Sequence, residues 1–329
     1  MSNQLVSVIT PCFNGEGYIA RFLDSILEQT YKNIELIIVD DCSTDKSCEI
    51  IESYIPSFLE RGYKLVFLRH NENKGQASAI NTALPYVKGS YITWPDSDDL
   101  FVPEAIEERV DFMEKYQYDF IRTDVSVCCE GSIEKIEYKL SEKNVFVSKN
   151  LLRDIVLEKN VYFCPGGYMI SYRALTLSIP NKIIYDSRYG QNWQLLIPIS
   201  ENFDCYYLDK VHYKYVVRTN SHSRSNVCDI DKDIKKVDGH QDIVLKTLDR
   251  LKVNEKNSGL KEEVNLRFLR KKMYVFGNAG LKFNAYCQFK KIKEKSAYDY
   301  IYILSLMLFL KPVLKKVKFI LGAKNEIIH

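Results

Sequence analysis

The segment Asp96-Ser97-Asp98-Asp99 places carboxylates two residues apart directly after a short apolar run, Tyr91 to Trp94. At a strand end, side chains two apart point to the same side. Asp96 and Asp98 would then repel each other unless a positive group stands between them. A hard divalent ion with oxygen ligands, Mn²⁺ or Mg²⁺, meets that need and keeps positions open for phosphate oxygens. The plainer alternative is a solvated acidic turn that caps the next helix. Asp41 follows a second buried run, where its carboxylate could accept hydrogen bonds from a nucleobase or ribose; it could equally cap a helix. Phe13 could lie against a base or simply pack. No GxGxxG follows the first strand and no GxxxxGK[ST] occurs, which removes dinucleotide-binding and P-loop chemistry.

The elements that carry these residues follow from apolar spacing. Leu5 to Thr10 (LVSVIT) is a short buried strand, broken by Pro11-Cys12-Phe13-Asn14-Gly15. From Gly17, the residues Ile19, Phe22, Leu23, Ile26 and Leu27 form one helical face ending near Gln29. Ile34 to Val39 is unbroken and apolar, as a parallel strand covered on both faces should be. The alternation continues with a strand at Lys64 to Leu68, a helix from Gly75, the strand at Tyr91 to Trp94, a helix opened by Pro103 and a strand at Phe120 to Val127. Such a chain is α/β, with a doubly wound, mostly parallel sheet flanked by helices. Ligands of these sheets lie outside the carboxyl ends of the strands. Those ends carry Pro11, Phe13 and Asn14, then Asp40 and Asp41, then Asn71 and Asn73, then Asp96 and Asp98, so residues scattered in sequence should cluster in space.

Residues 130 to 225 carry no clean periodicity, although Cys164-Pro165-Gly166-Gly167-Tyr168 and Tyr189-Gly190-Gln191-Asn192-Trp193 stand out as glycine- and aromatic-rich loops. Residues 226 to 296 are charged, with apolar residues at helical spacing around Leu260 to Phe276. The nine cysteines are scattered without CxxC or zinc spacing, as expected of reduced core thiols in a cytoplasmic protein. The first strand begins too early to leave room for a signal peptide. The net charge is +3, yet from Lys261 onward 15 Lys and Arg face 5 Asp and Glu, which leaves an acidic body with a basic tail. Such a tail suits an anionic surface. Nucleic acid is not expected, because no recognition motif accompanies the charge. Ala297 to Leu310 is the most apolar stretch, and its 14 residues fall short of the roughly 20 that span a bilayer. With Lys311, Lys315, Lys316 and Lys318 following, residues 297–320 read either as an interfacial helix on anionic lipid or as a core helix.

Taken together, these residues resemble glycosyltransferase family 2, which has the GT-A fold. The likeness covers residues 5 to about 225 and is most specific in the first 110. The block VSVITPCFNGEGYIARFLDSILEQTYKNIELIIVDDCSTD is similar to the family's opening signature, which implies base contacts from Pro11, Phe13 and Asp41. Asn14, Asn73 and Gln76 join them on the nucleotide side. NKGQASAINTAL is similar to the next block, with Ile80 where an arginine is common. The resemblance places Asp96 toward the ribose and gives Asp98 the cation that bridges the diphosphate. It implies attack by an acceptor hydroxyl on the anomeric carbon in one inverting displacement, assisted by a carboxylate base. Where the family has Gly-Glu-Asp-Trp-x-Leu, this chain has Gly190-Gln191-Asn192-Trp193-Gln194-Leu195. An amide cannot take a proton. Either Asp186, the nearest acid in sequence, serves instead; or Gln191 and Asn192 hold the acceptor by hydrogen bonds; or the chain binds donor without transfer. Arg218 to Arg224 resembles the segment that folds over metal and diphosphate, with His222 as a further metal ligand or phosphate donor. Gly166-Gly167 resembles the turn lining the sugar pocket, and Trp193 stands on the acceptor side.

The expectation is thus a GT-A domain over residues 1–225, with a nucleotide half to residue 110 and an acceptor half from 111. A basic helical C-terminal extension over 226–329 follows. The implied activity is transfer from a UDP-sugar to a saccharide or lipid-linked saccharide of a surface polysaccharide, at the cytoplasmic face of a membrane.

Overall fold

The computed structural model describes residues 3–143, 148–190, 192–218, 229–252, 254 and 257–308. Gln191, His222 and most of the basic tail lie outside the described residues. The chain divides into two compact units, Met1–Ser221 and His222–His329.

In the first unit, strand β1 (Val6–Cys12) and strand β2 (Ile34–Asp40) are buried along their whole length. They are joined by helix α1 (Ile19–Leu27), which turns Ile19, Phe22, Leu23 and Ile26 into the core. Helices α2 (Ser47–Ser53) and α3 (Ile55–Arg61) lead to β3 (Lys64–Arg69), an edge strand and so only half-buried. Helix α4 (Gln76–Ala83) precedes β4 (Tyr91–Thr93), and the two-residue β5 (Leu100–Phe101) precedes α5 (Ala105–Tyr116). The α5 helix begins two residues after Pro103, not at it. The rest of the first unit contains β6 (Phe120–Cys129), β7 (Ser132–Lys139), α6 (Leu152–Val156), β8 (Tyr168–Ser171), α7 (Tyr172–Ser178), α8 (Asn192–Asn202) and β9 (Tyr206–Val217).

The strands form a single sheet in the order β3-β2-β1-β4-β8-β6-β9-β5, with β7 added to β6. The α/β class is as expected. The parallel ladder spans β3, β2, β1 and β4 and reappears between β6 and β9, while β8, β7 and β5 pair antiparallel. Strand order reverses at β1, with β2 on one side and β4 on the other. This is the switch point where doubly wound sheets open a crevice. The register widens it: β1 pairs with β2 from Val6 to Cys12 but with β4 only from Val6 to Val8. Pro11 therefore lies past the last β4 partner, where its missing N–H breaks no ladder on that side. Thr10 uses the opening to hold the next loop, donating its hydroxyl to the Pro95 carbonyl at 2.9 Å.

The second unit is helical: α9 (Ile230–Leu248), α10 (Leu260–Asn278), α11 (Lys282–Lys291) and α12 (Ala297–Met307). Its core gathers Met273, Phe289, Ile292, Tyr302 and Leu306. A Cβ on Gly277 would stand 2.2 Å from the Tyr302 hydroxyl, so α10 and α12 need glycine to approach this closely. Arg270 forks onto the buried Asp299 at 2.9 and 3.0 Å. The opposite side of α12 exposes Tyr300, Leu304, Met307 and Leu308. Among the described residues no helix is long and apolar enough to cross a membrane.

Candidate active site

Two loops at the switch point carry the carboxylates. The first follows β2. Asp41 is buried, and its carboxylate accepts the backbone N–H groups of Lys74 (2.8 Å) and Gly75 (2.7 Å) and stands 2.7 Å from His70 Nδ1. Facing an ionised carboxylate, Nδ1 carries the ring proton, while Nε2 meets the Thr82 hydroxyl at 2.8 Å. Asp41 therefore shapes the loop ahead of α4 and is already supplied with donors. Its neighbour Asp40 is fully buried and accepts from Ser43 N–H at 3.0 Å, with Arg69 at 3.4 Å. Asn14 sits at φ 49°, a left-handed conformation that asparagine tolerates. From there its Oδ1 accepts the Thr44 N–H at 2.9 Å, and its own N–H donates to Ser43 Oγ at 2.8 Å. These bonds fasten the β1–α1 loop to the β2–α2 loop.

The second loop follows β4. Ligand oxygens of Asp96, Asp98 and Asp99 all lie within 4.8 Å of one another. Asp99 is buried, accepts the Val216 N–H at 2.8 Å, and leaves Oδ2 buried without a hydrogen bond. Burial, then the charges of Asp98 and Asp96, push its carboxyl well above the usual carboxylate range. Arg218 Nη2 meets Asp98 at 2.5 Å and stacks over Tyr18, 4.4 Å from the ring centroid. Although burial opposes it, Asp98 raises Arg218 above its ordinary value. Arg21 Nη2 also reaches this loop, donating to the Asp98 carbonyl at 3.1 Å. All-oxygen donors at this spacing, with a buried third carboxyl, fit a hard divalent cation.

The other sequence-derived residues lie on several different elements. Phe13 follows β1 and is 39% exposed, so a face remains free. Gln76 opens α4 and is exposed, whereas Ile80 is buried in the core. Gly166 and Gly167 are buried, and the space they leave is filled: a Cβ on Gly166 would lie 2.1 Å from the Tyr213 ring, and one on Gly167 would lie 2.7 Å from the Tyr162 hydroxyl. Their smallness serves aromatic packing. Tyr213 in turn donates its hydroxyl to the Asp96 carbonyl at 3.3 Å, so this turn supports the acidic loop from below. Buried Arg109 holds the same turn through the Gly166 carbonyl at 2.8 Å. Asn192 opens α8 and donates to the Phe163 carbonyl at 3.4 Å, and Trp193 is buried against Phe163. Asp186 is exposed on the segment leading into α8.

Sequence reasoning missed Asp99, the Arg218–Asp98 pair, His70 and Tyr213. Asp99 had a signal in the run Asp98-Asp99. His70 and Tyr213 had none, since each acts through a partner distant in sequence.

A parallel half-sheet with an acidic cluster at its switch point is an α/β fold of the GT-A kind. The family model described as Glycosyl transferase family 2 matches residues 7–176, more than half of the chain. The chain belongs to that family. A glycosyltransferase of Rickettsia typhi, itself uncharacterized, is 40% identical over 125 residues, 38% of this chain and 36% of that protein. TuaG of Bacillus subtilis strain 168, named for teichuronic acid biosynthesis, is 32% identical over 160 residues, 49% of this chain and 60% of that one. The chain thus spans between about a third and three fifths of the length of these relatives. The crystal structure of S. aureus TarS 1-349 in complex with UDP-GlcNAc superposes with a TM-score of 0.55 at 19% identity, covering 86% of this chain and 88% of that one.

Proposed function

We propose that the protein transfers a sugar from a nucleoside diphosphate donor, most directly a UDP-sugar, to a saccharide or lipid-linked saccharide acceptor of a surface polysaccharide. The observation that carries this is the pairing, across one switch point, of a preformed loop at Asp41 with the crowded carboxylates of Asp96, Asp98 and Asp99. Family membership supports it, as do the UDP-GlcNAc bound to a relative of the same fold and the polysaccharide named for another.

Phe13, Asn14, Asn73 and Gln76 line the nucleotide side, with the base against the free face of Phe13. Asp98, joined by Asp96, would hold Mn²⁺ or Mg²⁺, which would supply charge stabilisation to a departing diphosphate. Arg218, beside Asp98, adds a fixed positive charge at the same edge. Asp186 takes the proton of the attacking hydroxyl, while Asn192 and Gln191 orient the acceptor, Trp193 backs that side, and His222 adds a donor over the diphosphate. Transfer then proceeds with inversion. The test is calorimetry of UDP, GDP, CDP and TDP with and without Mn²⁺, followed by turnover of the matching nucleotide-sugar. Mn²⁺-dependent affinity for one of them is expected, and affinity for none would sink the proposal.

A second reading has one observation in its favour. Asn192 is an amide where a base is needed, and its Oδ1 is buried without a hydrogen bond. Donor binding without turnover would follow if Asp186→Asn left transfer unchanged at the level of a blank.

For the C-terminal unit, the exposed Tyr300, Leu304, Met307 and Leu308 on one side of α12, continued by the basic 309–320 segment, suit an anionic bilayer surface. The enzyme would then work as a peripheral protein on the cytoplasmic face. Deleting 297–329 should release it from phosphatidylglycerol vesicles; unchanged binding removes the membrane role.

A further inference from the structure

The segment from Ile183 to Gly190 has no regular structure, yet three side chains hold it. Asn81 on α4 makes a reciprocal pair with Ile184: its Nδ2 donates to the Ile184 carbonyl at 3.2 Å, and its Oδ1 accepts the Ile184 N–H at 2.8 Å. Gln194, buried on α8, donates Nε2 to the carbonyls of Tyr185 (3.2 Å) and Gly190, closing the segment on itself. Arg188 reaches outward from between these anchors. Its guanidinium donates to Asn73 Oδ1 at 2.6 Å and to the Asn73 carbonyl. Asn73 Nδ2 then donates to the Asp41 carbonyl at 3.3 Å. Gly75 completes the contact, since a Cβ there would touch Arg188 Cα at 3.7 Å and the residue sits at φ +93°.

A two-pronged guanidinium on one asparagine fixes direction as well as distance, which an ammonium cannot do. The result is a continuous hydrogen-bonded path from Asp41 through Asn73 to Arg188. Two residues before Arg188 stands Asp186, and four after it stands Asn192.

We propose that residues 183–190 form a strap, and that Arg188 is the positioning residue that couples nucleotide binding at the Asp41 loop to the placement of Asp186 and Asn192 on the transfer side. The inference rests on the donor-site function proposed above. A nucleotide that orders Asn73 and Gly75 removes motion from the far end of the Arg188 fork, so a strap already in place is held more firmly when donor is bound. An acceptor is then met by an assembled transfer side, and the empty enzyme presents a looser one. Coupling of this kind is reciprocal: whatever factor the nucleotide contributes to closing the strap, the strap contributes to nucleotide affinity.

The test is amide hydrogen exchange of the full chain over residues 181–190, with and without UDP plus Mn²⁺, alongside calorimetric UDP affinity; GDP, CDP and TDP replace UDP if that does not bind. In the wild type, nucleotide should slow exchange of this segment about five-fold, a coupling of roughly 1 kcal/mol. In Arg188→Ala the slowing should fall below two-fold, with affinity weakened by no more than about the same five-fold. Arg188→Lys should recover part of it, since one donor remains. Asn81→Asp, which keeps the acceptor for Ile184 and loses the donor, should loosen residues 183–185 without touching Asn73. Exchange of β1 and β2 amides serves as the control for global unfolding. Nucleotide binding that leaves 181–190 unchanged in the wild type, or slows Arg188→Ala equally, overturns the strap while leaving the donor site standing. Failure of every nucleotide to bind overturns both.

Discussion

Two loops of the same molecule use aspartate in opposite ways. At Asp41 the carboxylate is surrounded by donors, two backbone N–H groups and an imidazole, all from this chain. At Asp96, Asp98 and Asp99 the carboxylates crowd each other, with Arg218 as the cation on Asp98. The first arrangement is finished: the charge is used to build a loop. The second is unfinished among the described residues, because three carboxylates place oxygens within 4.8 Å of one another and Asp99 Oδ2 is buried without a hydrogen bond. A site that binds a cation must be of the second kind, since a carboxylate already supplied with donors has little left for a ligand. In the ligand-free chain Asp41 holds the Lys74 and Gly75 amides. Under the proposed function, Phe13, Asn14, Asn73 and Gln76 would also face a nucleotide.

Replacing one aspartate from each loop tests the contrast. Asp98→Ala should remove nearly all Mn²⁺-dependent nucleotide affinity and lower transfer by about 10³-fold. Its unfolding free energy should change by only about 1 kcal/mol, because loss of the part-buried pair with Arg218 is offset by relief of carboxylate repulsion. Asp41→Ala should do the reverse. Stripping the buried His70 ring and two part-buried backbone amides of their acceptor costs about 3 kcal/mol of stability, read by urea denaturation, with nucleotide affinity falling only as the 70–76 loop loosens. If Asp41→Ala were as stable as wild type and Asp98→Ala unfolded, the division of labour would be the wrong way round.

The asymmetry also explains what could be read from the chain beforehand. β1, β2 and β4 are legible because parallel buried strands are unbroken apolar runs, and the switch-point rule then gathers Phe13, Asp41 and Asp98 at one edge. β9 is not, because Tyr206–Val217 alternates charge with aromatics and finds its partner in β6, far back in the sequence. Asp41's role was hidden for a different reason: its donors at Lys74 and Gly75 are backbone amides, which any residue other than proline supplies. Gly166 and Gly167 read as a pocket turn by type, and only the packed positions of Tyr213 and Tyr162 reveal why glycine is required there. The likeness to Gly-Glu-Asp-Trp located α8, whereas the bonds by which Asn81, Gln194 and Arg188 hold the preceding segment span distances that no local pattern records.

Glu108 extends the comparison to a third carboxylate, again of the finished kind. It accepts from Lys210 at 2.5 Å and lies 2.7 Å from His212 Nε2. Nδ1 of His212 is buried without a hydrogen bond, so the neutral ring carries its proton on Nε2 and donates it to Glu108. Burial, then the nearby Arg109 cation, push His212 down to about 4 against the pull of Glu108, whose own carboxyl is lowered by Lys210 and His212 although burial opposes the shift. Between pH 6.5 and 4 the unfolded chain therefore binds a proton at His212 that the folded chain refuses, so stability falls as pH falls through this window. On the order of 2 kcal/mol should be lost by pH 4.5. Urea denaturation across the window should show the slope, and His212→Gln, which keeps a donor for Glu108, should flatten it by about one proton. An unchanged slope in that variant would assign the acid sensitivity elsewhere.

The smallest effect concerns Asn14, where the donor-side loops are tied together. Two contributions are superposed there: a backbone at φ 49° that most side chains resist, and an Oδ1 that accepts the Thr44 N–H. Asn14→Gly relieves the first and loses the second; Asn14→Ala loses the second and keeps the backbone where alanine is strained. If the loop is prebuilt by side-chain bonds, glycine should cost about 1 kcal/mol in unfolding free energy, and alanine about 1 kcal/mol more. Both variants should also weaken nucleotide binding by less than ten-fold, since Phe13 and the acidic loop remain. A glycine variant as stable as wild type would show that relief of the left-handed backbone offsets the lost bond to Thr44 in full. Equal losses in the two variants would show that the left-handed residue carries no strain, leaving the bond to Thr44 as the whole of what Asn14 contributes.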